Sequence, residues 1–151
     1  MNHQITIKYS QLRNLTAVLE RIKRECRLPV IKALHLKRLI RSIAAEATLY
    51  NDQYNEIIET YAKKDDNGER IIDRSVPGVE NILLNTPQEF AKEMQELFDH
   101  EFELDGRDAD LTINDLGSMQ ITVEEIEALE SILDEEEEVS DNKILPFPGQ
   151  E

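Results

Sequence analysis

Little in this chain is suited to specialised chemistry, and each shortage excludes something. Its 151 residues include one cysteine, no tryptophan, five glycines, five prolines and 5% aromatic side chains. A lone Cys26 excludes an internal disulfide framework and any cysteine-based zinc cluster, and it fits a reducing compartment. So few aromatics argue against a ligand cage or a base-stacking platform. With the glycines so sparse, neither G-x-G-x-x-G nor G-x-x-x-x-G-K-[ST] occurs, which removes the usual phosphate cradles. The G-x-S-x-G elbow of serine hydrolases is missing as well. His3, His35 and His100 stand far apart, and none has a partner at metal-ligand spacing. No apolar run is long enough to span a bilayer, and the start MNHQITIKYSQLRN lacks a signal peptide's basic end and apolar run. The expectation is a soluble, intracellular protein, with no membrane partner and no cofactor.

What the chain does have is charge. Seventeen Lys and Arg face 32 Asp and Glu, for a net −15 and a sequence pI near 4.6. The charge is polarised along the sequence. Residues 1–64 hold 12 bases and 6 acids, 12 − 6 = +6, and residues 65–151 hold 5 and 26, 5 − 26 = −21. Two readings follow. Either the halves neutralise each other, within one chain or between two copies, or the acidic half is displayed to a basic partner or imitates a nucleic-acid backbone. Direct nucleic-acid binding by the whole chain is disfavoured, because phosphates repel a −21 half.

Periodicity supplies the elements. Gln4-Ile5-Thr6-Ile7-Lys8-Tyr9 alternates as a strand. Ser10 offers an N-cap oxygen, and Leu12, Leu15, Leu19, Ile22 and Cys26 mark an amphipathic helix over about 11–26. Cys26 lies on the apolar face of that helix, which favours a buried structural thiol over a nucleophile. Pro29 then suits the first turn of a second helix. Ile40, Ile43, Ala47, Tyr50, Tyr54, Ile57 and Tyr61 recur at steps of three and four, and the pattern predicts a helix over about 30–64, roughly 50 Å long. Its far end must pack on the C-terminal half or on another subunit. Asp65-Asp66-Asn67-Gly68 stops it.

Beyond that stop, Arg70-Ile71-Ile72-Asp73 reads as a short strand and Val76-Pro77-Gly78-Val79 as a turn. Thr86-Pro87-Gln88-Glu89 carries the marks of a capped helix start. Glu101-Phe102-Glu103-Leu104-Asp105 and Leu111-Thr112-Ile113 alternate, either as a small hairpin or as two sheet strands. A second capping box, Thr122-Val123-Glu124-Glu125, opens the last helix, which residues 135–138 fray because negative charge is unfavourable at a helix C-terminus. The acidic turns fail as calcium loops. Placing Gly68 at the invariant sixth position puts Lys63 and Arg74 at the key ligand positions, and starting at Asp108 puts Ile113 and Met119 at the sixth and twelfth.

The order of these elements carries a resemblance. A short strand and a Leu-rich helix lead into a long helix ending in Glu-x-Tyr-Ala-Lys-Lys-Asp-Asp-Asn-Gly-Glu (residues 59–69). An acidic alternating segment follows (101–105), then Leu-Thr-Ile-Asn-Asp-Leu (111–116) and the capped Ile-Thr-Val-Glu-Glu-Ile-Glu-Ala-Leu-Glu (121–130). Over roughly residues 5–134 this resembles a family of small proteins of phages and prophages, mainly of Gram-positive hosts, known as a domain of unknown function. The resemblance implies a phage context and transfers no catalytic residue. The basic stretch 21–41 and the Pro-Phe-Pro tail are not part of the matching pattern.

The expected fold is α+β and mostly helical: a long antiparallel helical hairpin (about 11–64), an acidic α+β half (about 69–138) with a small β-sheet and a capped C-terminal helix, then a flexible tail (139–151). Residues 1–138 are expected to form one domain. The expected role is a non-catalytic, phage-encoded accessory or assembly factor that binds protein, in the host cytoplasm or on the virion. The alternative is an acidic, DNA-mimicking inhibitor of a host nucleic-acid-binding protein. The partner is then a phage structural protein or a basic host protein, and the chain itself is a candidate homo-oligomer. Tyr50, Tyr54 and Tyr61 shape the scaffold and the candidate binding face. Glu124, Glu127 and Asp134 would meet a basic partner, and Phe147 anchors an apolar, proline-bearing patch suited to docking.

Overall fold

The computed structural model describes residues 4–134. Strand β1 (Gln4–Lys8) alternates exposed and buried residues, with Ile5 and Ile7 facing inward. A single 3-10 turn, Tyr9–Gln11, joins it to helix α1 (Leu12–Glu25). Ser10 does not cap that helix. It lies inside the 3-10 turn, and Gln11 does the local bonding by accepting the Lys8 backbone N–H at 2.7 Å. Leu12, Leu15, Val18, Leu19 and Ile22 form the buried face of α1, as their spacing requires.

Cys26 is extended, and Pro29 is the N-cap of the long helix α2 (Val30–Tyr61), where its missing N–H costs nothing. At 1.5 Å per residue α2 is about 48 Å long. It stops three residues short of the predicted Lys64. From Ala62 the chain turns extended and enters backbone pairing, with the Lys63 N–H donating to Leu83 O at 2.9 Å and Ile71 N–H donating to Lys63 O at 2.9 Å. The Asp65 carboxylate accepts from the Asn67 and Glu69 N–H groups, and Gly68, at φ +82°, supplies the left-handed residue that this tight turn needs. Strands β2 (Ile72–Asp73) and β3 (Asn81–Ile82) pair antiparallel around the expected turn. Pro77 and Gly78 hold its centre, and the Val79 N–H closes on Val76 O at 3.1 Å.

Helix α3 (Pro87–Asp99) begins with Pro87 as read, but Thr86 is not a side-chain cap. Its backbone is left-handed at φ 40° and its hydroxyl makes no capping bond, so the expected capping box does not form. Strand β4 (Glu101–Asp105) pairs antiparallel with β1, Ile5 opposite Leu104 and Ile7 opposite Phe102, all four facing the core. The other sheet expectation fails. Leu111 and Thr112 are irregular and Ile113–Leu116 is a 3-10 turn, because Thr112 and Asp115 cap one another there. Helix α4 (Val123–Leu129) does carry its capping box: the Thr122 Oγ1 accepts from Glu125 N–H at 3.1 Å, and Glu125 accepts from Thr122 N–H at 3.0 Å.

The layout is α+β and mostly helical. Helices α1 and α2 form the antiparallel hairpin, and the N-terminal half of α2 packs on α1 while α1 also packs on α4. The far half of α2 is covered by α3 through ring contacts between Tyr61 and Phe90 and between Tyr50 and Phe98. The overhang of the long helix is thus filled from within the chain. The expectations on residues 135–151, including the fraying at 135–138, the tail and Phe147, lie outside the described residues.

Candidate functional site

Where β1 ends, its chain direction and that of α3 converge. The Tyr9 backbone N–H donates to His100 O at 2.9 Å, fixing the Tyr9 ring between α2 and β4. That ring meets Tyr50 edge-on at 5.4 Å between centroids, and lies 5.6 Å from Phe102 and 5.1 Å from His100. Tyr50 continues the series to Tyr54 at 5.9 Å and Phe98 at 6.3 Å. Such tilted and edge-on pairs are the favoured geometry of aromatic clusters. The result is a groove of about 720 Å³ with Tyr9, Tyr50, Tyr54 and Phe98 on its floor, and Arg13 and Ala17 of α1 along one wall. Its size is that of a pocket for a small ligand or a few side chains.

The tyrosines are not equivalent. Tyr9 donates its hydroxyl to Glu46 Oε1 at 2.8 Å, and burial followed by that bond pushes its pKa up to about 12. Burial also raises Tyr50, with the neighbouring Tyr54 adding to the effect. Among the described residues, neither Tyr50 nor Tyr54 gives its hydroxyl a hydrogen-bond partner, so the floor of the groove offers two phenols to whatever enters. Tyr61 is elsewhere. It packs edge-on against Phe90 at 5.9 Å, and its hydroxyl bonds to Glu93, which pushes its pKa up to about 12.

The predicted acids divide in the same way. Glu124 and Glu127 border a shallow depression with Ser10, Gln11 and Asn14, and a second one holds Asn14, Ala17, Thr122 and Glu124. Ser10 and Ala17 belong to the aromatic groove too. The exposed side of α1 therefore carries rings on one flank and carboxylates on the other. Asp134 does not join them, since its backbone N–H closes on Leu111 O at 2.7 Å on another side of the fold. Of the seven residues singled out by sequence, Tyr50, Tyr54, Glu124 and Glu127 come together. Tyr61 and Asp134 do not, and Phe147 lies outside the described residues.

Sequence reasoning missed Tyr9, Phe98 and Arg13. Tyr9 reads as the last residue of the alternating strand at 4–9. Nothing in the spacing of residues 9, 50, 54 and 98 announces that they meet.

Four contacts within the chain join the basic half to the acidic half. Arg21 places Nη1 at 2.6 and 2.8 Å from the two Glu125 oxygens and bonds Gln120 O at 2.6 Å. Lys32 reaches Asp115 at 2.6 Å, His35 meets Asp110 at 2.7 Å, and Arg38 lies 3.5 Å from Asp108. Arg21 and the capping bonds hold the Glu125 pKa below the usual range. At Asp115 burial works upward, but Lys32 and Thr112 outweigh it and the pKa is lowered. Cys26 lies in this seam, its Sγ 3.5 Å from Leu116 O and from Met119 Sδ, and burial pushes its thiol pKa up, away from nucleophilic use.

Among the described residues, no three His, Cys, Asp or Glu side chains are grouped so as to hold a metal ion, and no helix is long and apolar enough to cross a membrane. No protein-family model matches the chain, and neither a curated protein nor a solved structure does.

Proposed function

We propose that this chain is a non-catalytic protein-binding module, an accessory or assembly factor, that grips its partner across the exposed side of α1. The observation that carries the reading is the groove itself: four rings converging beside a carboxylate-bearing flank, with two phenols uncommitted. Aromatic clusters of this kind serve as anchors in protein interfaces because they bury large area with few rotors. A partner that lays an apolar side chain over Tyr50 and Tyr54 can lay a basic residue across Ser10 and Asn14 toward Glu124 and Glu127. The phage setting rests on the resemblance of the element order, and a phage structural protein is then the first partner to seek.

The inhibitor reading, an acidic surface posing as nucleic acid, has less behind it. Asp108, Asp110, Asp115 and Glu125 are engaged by the chain's own bases, so these four carboxylates are not free to imitate a phosphate row.

The test compares baits in a pull-down from infected host cells at low and moderate salt. Ala17→Arg fills the groove from an exposed position, and Glu124→Lys with Glu127→Lys reverses the flank. A phage structural protein captured by the native chain through moderate salt, and reduced at least about tenfold by Ala17→Arg, is expected, since a blocked anchor site typically costs more than 1.4 kcal/mol. Capture that ignores both variants overturns the reading. A basic nucleic-acid enzyme lost on raising salt, and lost with the flank variant alone, would favour the inhibitor instead.

A further inference from the structure

The tip of the helical hairpin presents a second surface, independent of the groove. Val30, Ile31 and Leu34 are 82%, 59% and 42% exposed, although all three are apolar. Helical spacing puts Ile31 and Leu34 on the same side of α2 as Arg38 and Arg41, with Val30 and Lys37 beside them. Lys23, Arg24 and Arg27 stand exposed across the turn. Of these bases, Lys23, Arg27, Lys37 and Arg41 form no ion pair among the described residues. An apolar patch framed by uncompensated positive charge is complementary to a segment that is acidic and also carries apolar side chains.

The chain contains one such segment, and it departs from beside the patch. Asp134, the last described residue, bonds Leu111 O. The adjacent Asp110 bonds His35, and Asp115 bonds Lys32. The exit is therefore tied to the first two turns of α2, where His35 is the next residue along the helix side from Ile31. The sequence continues with four glutamates at 135–138 and reaches Ile144-Leu145-Pro146-Phe147-Pro148. Ten residues from Asp134 to Ile144 span up to roughly 34 Å, and the patch from Val30 to Lys37 is only about 11 Å long, so reach is not limiting.

We propose that the hairpin tip is the seat of the chain's own segment 135–147, the glutamates lying against Lys37, Arg38 and Arg41, and Ile144, Leu145 and Phe147 covering Val30, Ile31 and Leu34. Covalent attachment favours this occupant, because a tethered segment sits at millimolar effective concentration and needs only a modest contact to dock. Outside anions are at a disadvantage: a phosphate backbone or an anionic lipid surface must approach a protein of net charge −15.

The experiment is methyl and aromatic NMR on the full chain. Cross-relaxation between the Ile31 or Leu34 methyls and the Phe147 ring is expected at low salt. It is expected to vanish in Leu34→Lys, and to weaken at about 0.5 M salt, where the screening length is near 4 Å. Unchanged Leu19 and Ile43 methyl shifts in the variant would show that the core is intact. Three outcomes overturn the proposal: no contact of the Phe147 ring at the tip, contact of that ring with Tyr50 or Tyr54 instead, or tip contacts seen only between differently labelled copies in a mixed sample, which would assign the surface to a second molecule.

Discussion

The two halves of α2 are held by different physics. Its N-terminal half is set in a closed aliphatic core: Leu15, Leu19, Ile22, Leu39, Ile43, Leu129 and Ile132 are all at 2% exposure or less. Around that core runs the seam of ion pairs from Arg21 to Arg38. The C-terminal half is packed by rings that are only partly covered, and Tyr50, Tyr54, Tyr61, Phe90 and Phe98 all border the core rather than fill it. Buried aliphatic side chains interdigitate to full density and leave no groove between them. Rings of mixed tilt leave a groove between them and keep their polar tips outward. One helix is thus a structural spine at one end and lines an open groove in its middle.

The sharpest way to break this comparison is matched truncation. Leu19→Ala in the closed half is expected to cost about 3 kcal/mol in denaturant unfolding, as burial and the residual cavity both count. Tyr54→Ala on the open floor is expected to cost about 1 kcal/mol, since its ring is only half covered and the site can rewet. Equal costs would mean that the two halves are one core.

A smaller effect separates the halves by pH. In the seam, the pKa of Asp115 and of Glu125 is lowered by folding, so both contribute stability above the ordinary carboxylate range and lose it as pH falls through and below that range. In the aromatic half the sign is opposite. Tyr9 and Tyr61 are raised from 10.0 to about 12, so their contribution is complete below pH 10 and is lost as pH rises through about 12. Melting curves across pH should show acid loosening the seam and alkali loosening the aromatic half. Asp115→Ala should cost about 1–2 kcal/mol at neutral pH, because it removes the partner of Lys32 and of the Thr112 N–H, and should flatten the acid limb. An acid limb that is unchanged in Asp115→Ala would place the acid sensitivity elsewhere.

The smallest effect is at the entry to α3. Thr86 holds a left-handed backbone at φ 40° without a capping bond, an unfavourable conformation for a β-branched residue. Thr86→Asn should raise stability by up to about 1 kcal/mol. A loss of stability would show that the Thr86 side chain contributes something its geometry does not reveal.

Much of this fold is legible in the sequence wherever the signal is local. The stripes of α1 and α2, Pro29 before α2, Gly68 and Gly78 in their turns and the Thr122–Glu125 box each follow from spacing or from one residue's conformational limits. Thr86 was misleading for a physical reason: Pro87 restricts the residue before it, and the chain arriving from β3 sets a backbone in which the hydroxyl cannot cap. Leu111-Thr112-Ile113 alternates like a strand, but the mutual capping of Thr112 and Asp115 turns it into a 3-10 entry. The candidate site was only half legible. Tyr50 and Tyr54 stand out on a helical stripe, whereas Tyr9 and Phe98 acquire meaning only when β1, α2 and α3 converge.

The sequence by itself determined the helical hairpin, the alternating strands at 4–8 and 101–105, the polarity of charge and the absence of any local catalytic or phosphate-binding motif, because these depend on periodicity and composition. Only the tertiary structure decided that Arg21, Lys32, His35 and Arg38 meet acids of the C-terminal half, that α3 covers the far end of α2, and that four rings from three helical segments share one groove. Those outcomes depend on distances between residues as much as 104 positions apart, as Arg21 and Glu125 are, and such distances are set by packing rather than by any local pattern.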